Sequence, residues 1–275
     1  MNASDTKDLP IGVFDSGVGG LTVLKAIHET LPTENLVYLG DTARLPYGTK
    51  SPASISRYAC QATSQLQQNK IKLLVVACNT ASAVALGALR EQMSPLPVIG
   101  VVEPGAAAAV NARPGGEHLV LATEATVRLG AYRAALLERD PAAKVTELAC
   151  ELLVSLAEEG WNDGAIAESI IRRYLTELDE AVRHPDSVIL GCTHFPLLRD
   201  TIAAVFDAGV SIVDSASTTA AAVCELLAER SLANDQDTAG SLTLLATDGA
   251  TRFARVGGQF LGEDLSYRDI TLVDL

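Results

Sequence analysis

Short apolar runs alternate along this chain with segments in which apolar side chains recur at helical spacing. The first run covers residues 10–14, and the segment behind it places Leu21, Leu24, Ile27 and Leu31 on one helical face. An uninterrupted apolar run is typical of a strand that is buried on both faces, as in a parallel sheet with helices on either side.

The same alternation continues almost to the end of the chain. It predicts strands at 10–14, 36–39, 73–77, 97–102, 119–122, 144–148, 188–190, 211–213 and 242–246. It predicts helices from 21, from 52, over 82–92, over 126–138, over 166–181, after 196, from 215 to about 229, and over 250–260. Strands and helices that alternate in this way favour an α/β fold with parallel sheets.

Two of the predicted strands end in the same way. Each apolar run closes with a small residue, a cysteine and then a threonine nearby, and the two cysteines, Cys78 and Cys192, lie 114 residues apart (192 − 78). The carboxyl end of a buried strand is where α/β folds bind their ligands. Two thiols in such places can face one substrate from opposite sides, which suits the removal of a proton from one face of a carbon and its return to the other.

Position separates these two cysteines from the other three. Cys60, Cys150 and Cys224 fit the ordinary role of cysteine as a small buried residue. Cys78 and Cys192 are each predicted where a strand ends and a helix begins, and a helix N-terminus favours the thiolate through its unpaired N–H groups and its dipole. We therefore expect both to be functional.

Composition limits the classes of partner. Hydrophobic residues make up 48% of the 275 residues but aromatic residues only 4%, so the core consists of Ala, Val, Ile and Leu, in one large or two medium domains. The net charge of −13 and the absence of any basic cluster longer than Arg172-Arg173 argue against nucleic acid as a partner.

Segments for export or membrane insertion are not expected. Residues 1–8 are polar, unlike a secretory signal peptide, and no apolar stretch approaches the roughly 18–20 residues of a membrane span. The cysteines are odd in number and widely spaced, with no CxxC pair that would suggest zinc. We expect a reduced, cytoplasmic protein with no metal site and no contact with membranes.

A glycine-rich turn follows the first strand, with Asp15 and Ser16 at its start and glycines at 17, 19 and 20. Its spacing does not match the GxGxxG turn that binds dinucleotides. The glycines instead let the backbone approach a small anion at the helix N-terminus, with Asp15 beside it. The alternative is that Asp15 simply caps the helix.

Polar residues beside the two thiols and at another strand end supply hydrogen-bond donors: Asn79, Thr80, Thr123, Thr126, Thr193 and His194. The Ser and Thr type of side chain also caps helices, and the two roles do not exclude each other. His194 is either a general acid or base beside Cys192 or a structural histidine. On residue type alone, Glu158 and Glu159 belong to a solvated helical face.

Taken together, these segments resemble one family. The matching segments are IGVFDSGVGG (11–20), GDT (40–42), PYG (46–48), ACNTAS (77–82), GVVEP (100–104), GCTHFP (191–196) and VDS (213–215). In this order they are similar to the bacterial glutamate racemases of the cofactor-independent Asp/Glu racemase family, and the likeness runs from residue 11 to about 262.

The resemblance implies two pseudo-symmetric α/β lobes, each a mostly parallel sheet flanked by helices, with the active site in the cleft between them. The first lobe would be discontinuous, with residues 1–101 plus 213–275, and would carry Asp15 and Cys78. The second, residues 102–212, would carry Cys192 and His194.

The resemblance also implies residue roles. Cys78 and Cys192 would be the catalytic acid and base, the first acting on D-glutamate and the second on L-glutamate. Asp15 would assist Cys78, while His194 together with Glu158, or Glu159 beside it, would assist Cys192. The implied substrate contacts are Asp15, Ser16, Tyr47, Gly48, Asn79, Thr80, Thr123, Thr193 and His194.

The implied reaction interconverts L- and D-glutamate and supplies D-glutamate for peptidoglycan. Racemases that use pyridoxal phosphate need a Schiff-base lysine, for which this sequence offers no convincing candidate, so no cofactor is expected. The resemblance leaves open activation by a cell-wall precursor and assembly as a homodimer. The alternatives are an aspartate or other amino-acid racemase of the same superfamily, and a cysteine hydrolase, which would need one thiol, a base and an oxyanion hole.

Overall fold

The computed structural model describes residues 6–275, which contain ten strands and eleven α-helices. The strands are β1 Ile11–Asp15, β2 Leu36–Gly40, β3 Leu73–Val76, β4 Val98–Gly100, β5 Glu117–Ala122, β6 Lys144–Ala149, β7 Ser187–Gly191, β8 Ser211–Asp214, β9 Leu242–Ala246 and β10 Ile270–Leu272. The helices are α1 Leu21–Thr30, α2 Pro52–Gln67, α3 Asn79–Met93, α4 Val102–Ala112, α5 Glu124–Leu129, α6 Ala131–Arg139, α7 Glu151–Glu158, α8 Gly164–Leu175, α9 Arg199–Ala204, α10 Ser215–Glu229 and α11 Ala250–Leu261.

The strands form two sheets in which every pairing is parallel. The larger sheet has the order β10-β9-β2-β1-β3-β4 and the smaller has β6-β5-β7-β8. The order β2-β1-β3-β4 in the first is repeated as β6-β5-β7-β8 in the second. The predicted α/β class, with two related, mostly parallel sheets flanked by helices, is confirmed.

The strand order reverses at the same place in both sheets. From β1 the chain moves outward to β2 and then returns to the other side at β3, and β5, β6 and β7 repeat this. Ligands of open α/β sheets bind beyond the carboxyl ends of the strands at such a reversal. Asp15 and Cys78 lie at the reversal of the larger sheet, and Thr123 and Cys192 lie at that of the smaller one.

Burial explains the uninterrupted apolar runs. Strands β1, β2, β3 and β7 are buried along their whole length, because helices cover both faces. One apolar cluster contains residues of both sheets, such as Leu73 of β3 and Val188 of β7, and helix α10 packs on α1 across them. The two sheets are therefore joined by a shared core at the base of the site.

Several element predictions need correction. Residues 97–102 form only the short strand β4, and the alanine-rich helix α4 follows it immediately, because alanine carries no apolar period by which a helix would be recognised. The helix predicted over 126–138 is two helices, since Gly130 adopts a left-handed conformation between them. The helix predicted over 166–181 ends at Leu175.

The strand pairing shows which strands belong to each sheet, but it does not define the boundaries of the two predicted lobes. Strand β8 pairs with β7, so the smaller sheet extends to Asp214, although the second lobe was predicted to end at 212. The division into 1–101 plus 213–275 and 102–212 stays a prediction. Within residues 6–275, no helix is both long and apolar enough to cross a membrane.

Candidate active site

The two strand-end cysteines have different local settings. Cys78 is the N-cap of α3, and its sulfur accepts a hydrogen bond from the Ala81 N–H at 3.4 Å. Cys192 follows β7 but is followed by a short 3-10 turn, Phe195–Leu198, rather than by a long helix. The prediction of a helix N-terminus therefore holds for Cys78 and is wrong for Cys192, which has His194 beside it instead.

Both cysteines are buried, with 5% and 6% of their surfaces exposed, and they line one cavity of about 60 Å³. The cavity is lined by Ser16, Gly17, Val18, Leu45, Pro46, Tyr47, Gly48, Cys78, Asn79, Thr80, Thr123, Glu151, Val154, Glu158, Cys192, Thr193 and His194. Every residue predicted for the site is in this set except Asp15, which lies behind the wall. The structure thus brings the predicted residues together, while their roles stay predictions.

The Cys78 thiol is enclosed by the glycine-rich turn. Ser16 Oγ lies 3.3 Å from its sulfur. Burial, and then the negative charge of Asp15, raise the pKa of Cys78 to about 12, against the hydrogen bonds from Ser16 and Ala81, which lower it. This raised pKa favours the protonated form of the Cys78 thiol.

The Cys192 thiol begins a chain of polar contacts. His194 Nδ1 lies 3.7 Å from the sulfur, and His194 Nε2 lies 3.2 Å from Glu158 Oε1. The other oxygen of Glu158 accepts a hydrogen bond from Arg252 at 2.5 Å. Glu158, rather than Glu159, is therefore the glutamate that reaches His194.

The imidazole of His194 is poised to carry a positive charge. Burial by itself lowers its pKa, but the hydrogen bonds to Cys192 and Glu158 and the charge of Asp15 outweigh burial and raise the pKa to about 10. The same contact with His194 lowers the pKa of Glu158. A protonated His194 would place a positive charge beside the Cys192 sulfur, 3.7 Å from its Nδ1.

Asp15 is part of the turn rather than a helix cap. Its Oδ2 accepts the Gly17 N–H at 2.8 Å, whereas the N-cap of α1 is Gly20, so the capping alternative is wrong. Burial raises the pKa of Asp15, although His194 and the backbone N–H groups of the turn oppose this. Its Oδ1 is buried without a hydrogen-bond partner in residues 6–275.

Gly19 allows the two halves of the site to meet. A Cβ atom at this position would lie 2.4 Å from both Thr193 Oγ1 and His194 Nδ1. Thr22, in the first turn of α1, donates to the Thr193 carbonyl at 2.9 Å. The space beside this turn is thus taken by side chains that follow β7, which the sequence pattern did not reveal.

Thr80 and Thr123 both line the cavity, and their hydroxyl groups are in contact. Thr80 Oγ1 lies 2.9 Å from Thr123 Oγ1, which lies 3.0 Å from Thr126 Oγ1. Asn79 donates through Nδ2 to the Tyr132 hydroxyl at 2.7 Å, while its Oδ1 is buried with no partner in the described chain. These groups offer both donors and an unpaired acceptor to a ligand.

Tyr47 differs most from its predicted role. Its hydroxyl donates to the buried Asp41 carboxylate at 2.6 Å, and burial raises its pKa. Because the hydroxyl already donates to Asp41, a hydrogen bond from it to the substrate would require this contact to break. The neighbouring Gly48 carbonyl accepts the Ala125 N–H at 3.2 Å and ties this loop to α5.

Two charged residues of the site were not expected. Glu151 lines the cavity, and its carboxylate accepts the Glu124 N–H at the start of α5, at 2.6 Å. Its place directly after β6 and Cys150 is a strand-end signal like that of the two thiols. Arg252 lies on α11, 94 positions from Glu158, and no local pattern indicates their contact. Within residues 6–275, no group of three or more His, Cys, Asp or Glu side chains is arranged to hold a metal ion.

The chain is similar to known racemases in sequence and in structure. The family model for Asp/Glu/hydantoin racemases matches residues 11–223. The glutamate racemase of Geobacter metallireducens is 48% identical over 255 residues, which cover 93% of each chain. The structure of glutamate racemase from Francisella tularensis in complex with D-glutamate superposes with a TM-score of 0.89 at 34% identity over 98% of both chains. Escherichia coli glutamate racemase in complex with L-glutamate and the activator UDP-MurNAc-Ala has a TM-score of 0.72 at 32% identity, covering 91% of this chain and 95% of that one.

Proposed function

The chain belongs to the Asp/Glu/hydantoin racemase family and is an amino-acid racemase, and we propose that it interconverts L- and D-glutamate with two cysteines as acid and base. One observation carries this proposal. Cys78 and Cys192 follow β3 and β7, which are equivalent strands of two sheets with the same order, and both thiols line one buried cavity. A pair of thiols related in this way can act on opposite faces of one carbon.

The proposed reaction needs only two proton transfers and the shift of one electron pair. In the L-to-D direction the Cys192 thiolate takes the α-proton, and the C–H electron pair passes into the α-carboxylate. The electron pair then returns to the α-carbon, which takes the proton of the Cys78 thiol on its opposite face. The reaction leaves Cys192 as the thiol and Cys78 as the thiolate, which is the state required for the D-to-L direction.

The unequal surroundings of the two thiols support this assignment. Cys192 has His194 at 3.7 Å to balance a thiolate, whereas burial and Asp15 hold the pKa of Cys78 high. In the proposed L-to-D direction, Cys192 is therefore the base and Cys78 is the acid. Ser16 Oγ lies 3.3 Å from the Cys78 sulfur and can donate a hydrogen bond to it when Cys78 is the thiolate.

The charges of glutamate match the polar atoms of the cavity. Hydroxyl and N–H donors, such as those of Ser16, Thr80 and Thr193, suit its carboxylates, and helix N-termini bind anions without a basic surface. The unpartnered Oδ1 atom of Asn79, which lines the cavity, suits its ammonium group, because a buried acceptor without a donor costs free energy. A dry site also strengthens the donors that hold the developing negative charge on the α-carboxylate.

The proposal extends to the setting of the enzyme. We place it in the cytoplasm, where its cysteines stay reduced and where it supplies D-glutamate for peptidoglycan. The Escherichia coli relative was crystallised with UDP-MurNAc-Ala as activator, so activation by a cell-wall precursor is proposed for this chain as well. Association as a homodimer is a further part of the proposal, to be tested by the mass of the particle in solution.

The test follows the circular dichroism of L-glutamate and of D-glutamate, each incubated with reduced protein in D₂O without pyridoxal phosphate or metal. Decay of both signals to zero, with one deuterium at the α-carbon by mass spectrometry, supports the proposal. If both signals persist with UDP-MurNAc-Ala present, glutamate is not the substrate, and the same assay with L- and D-aspartate follows.

A further inference from the structure

Helix α11 presents one face to the residues that serve Cys192. The helix follows β9 of the larger sheet, whereas Glu158 and His194 belong to segments around the smaller one. Arg252 pairs with Glu158, and eight positions further along, the Phe260 ring packs edge-on against His194 with centroids 5.1 Å apart. Residues at this spacing lie on one side of a helix, so a single face of α11 contacts both helpers of the thiol.

We propose that Arg252 is a positioning residue for the Cys192 half of the active site, acting by holding the Glu158 carboxylate that orients His194. The inference rests on the proposed racemase function and assigns a role to a residue that lies outside the cavity. It follows from three contacts in series, Arg252 to Glu158, Glu158 to His194, and His194 to Cys192.

The geometry at Glu158 explains how Arg252 can affect the orientation of His194. Each oxygen of the carboxylate has one partner, with His194 on Oε1 and Arg252 on Oε2. A carboxylate bound through both oxygens cannot rotate freely, so it presents a fixed acceptor to the imidazole. An acceptor on Nε2 in turn places the other ring nitrogen toward the sulfur, as in other sites where a carboxylate orients a histidine.

Exposure indicates that Arg252 contributes little to packing. Its side chain is 57% exposed, whereas that of Glu158 is only 16% exposed. Removing the guanidinium leaves no cavity in the core, but it leaves Oε2 of a mostly buried carboxylate without its cation. The remaining titratable groups that face His194 are Cys192 and Asp15, and both are negative when ionised. The loss of Arg252 therefore changes the charge around Glu158 and the orientation of its carboxylate more than it changes the packing of the surrounding side chains.

The test compares three variants of the full-length protein. Arg252→Gln removes the charge, Arg252→Lys restores a cation without the planar fork, and Arg255→Gln removes a charge from an exposed position on the same helix as the matched control. For each variant, the rates at which iodoacetamide alkylates Cys192 and Cys78 are followed by peptide mass spectrometry from neutral to alkaline pH. The parameters kcat and KM for L- and D-glutamate are measured in parallel.

We expect Arg252→Gln to slow alkylation of Cys192 at neutral pH by about two- to fivefold, the range for a partly exposed ion pair. Alkylation of Cys78 stays unchanged, and kcat/KM falls equally in both directions because the equilibrium constant of a racemisation is one. Arg252→Lys recovers part of the loss, and Arg255→Gln behaves like the parent protein.

An unchanged rate at Cys192 in Arg252→Gln, or equal losses in Arg252→Gln and Arg255→Gln, would overturn the proposal. Because alkylation does not depend on turnover, the test separates this inference from the proposed function. If the parent protein fails to racemise glutamate but the Cys192 rate still responds to Arg252, the proposed substrate is wrong and the positioning role stands.

Discussion

Substitution of Gly19 by alanine tests whether the glycine-rich turn fixes the position of His194. The added Cβ would lie 2.4 Å from His194 Nδ1 and from Thr193 Oγ1, whereas ordinary contact begins at 3.4 Å. Each of these side chains must therefore retreat by about 1 Å, or α1 must shift by a similar amount. Since Thr22 fastens the Thr193 backbone to α1, the strain falls on the His194 side of the cavity.

The expected loss of activity is large compared with the loss of stability. A misplacement of about 1 Å at a reacting site costs about 10²-fold in rate, so kcat/KM of Gly19→Ala should fall by roughly that factor. Overpacking costs about 1–3 kcal/mol, which leaves a folded protein. The backbone of Gly19 is not in the left-handed region that excludes alanine, so strain arises from the contacts alone.

The assay is initial-rate racemisation followed by circular dichroism, with urea unfolding of the same samples. Gly87→Ala is the matched control, because Gly87 is exposed within α3 and has no atom within 4 Å of an added Cβ. It should keep full activity and gain about 0.5–1 kcal/mol, the usual benefit of alanine in a helix. A Gly19→Ala variant with kcat/KM within about twofold of the parent would refute the reasoning, since the required 1 Å displacement is then harmless.

Three further predictions concern single contacts. Tyr47→Phe removes the hydrogen bond to buried Asp41 and should cost about 1–3 kcal/mol in urea unfolding, while kcat/KM changes little because that hydroxyl is not free for substrate. The pKa of His194 is raised from 6.5 to about 10 by folding, so its stabilising effect is complete below pH 6.5 and disappears as the pH rises to about 10; thermal unfolding of the parent and of His194→Asn across this range should show their difference shrinking. Lys72→Met leaves the buried Glu34 carboxylate without its cation, which should cost about 3–5 kcal/mol by urea unfolding.

Each of these has a clear contrary result. A drop in kcat/KM for Tyr47→Phe without a loss of stability would show that the hydroxyl contacts the substrate. A His194 contribution that grows with pH would mean that the neutral imidazole is the stabilised form. For Lys72, the double variant Lys72→Met/Glu34→Leu should recover part of the lost stability, and failure to do so would place the defect in packing rather than in the unpaired carboxylate.

The elements that place the two thiols could be predicted because their signals are local. Each thiol follows a short apolar run, and parallel strands bring their carboxyl ends to one edge of a sheet. The alternation of strand and helix predicts parallel pairing in both sheets, whereas the repeated strand order is seen only in the structure. What the pattern could not separate was the helix N-terminus at Cys78 from the 3-10 turn after Cys192, since Pro196 suits the start of either.

Contacts between distant segments were beyond the reach of the pattern. Gly19 approaches Thr193 and His194, and Arg252 reaches Glu158 across 94 positions, only because the two sheets are packed together. The glycines were expected to make room for an anion. At Gly19 the missing side chain instead makes room for Thr193 and His194, which come from the other half of the site. The sequence could assign Tyr47 to the site. It could not predict where the hydroxyl points, because that depends on the buried carboxylate of Asp41.

The most direct test of the two-thiol account is α-proton exchange in D₂O by the variants Cys78→Ala and Cys192→Ala. The account predicts that neither racemises glutamate. Cys78→Ala, which keeps Cys192, should exchange the α-proton of L-glutamate but not of D-glutamate, and Cys192→Ala should show the opposite preference. Exchange of both enantiomers by one variant, or near-normal racemisation by either, would contradict the assignment of one thiol to each face.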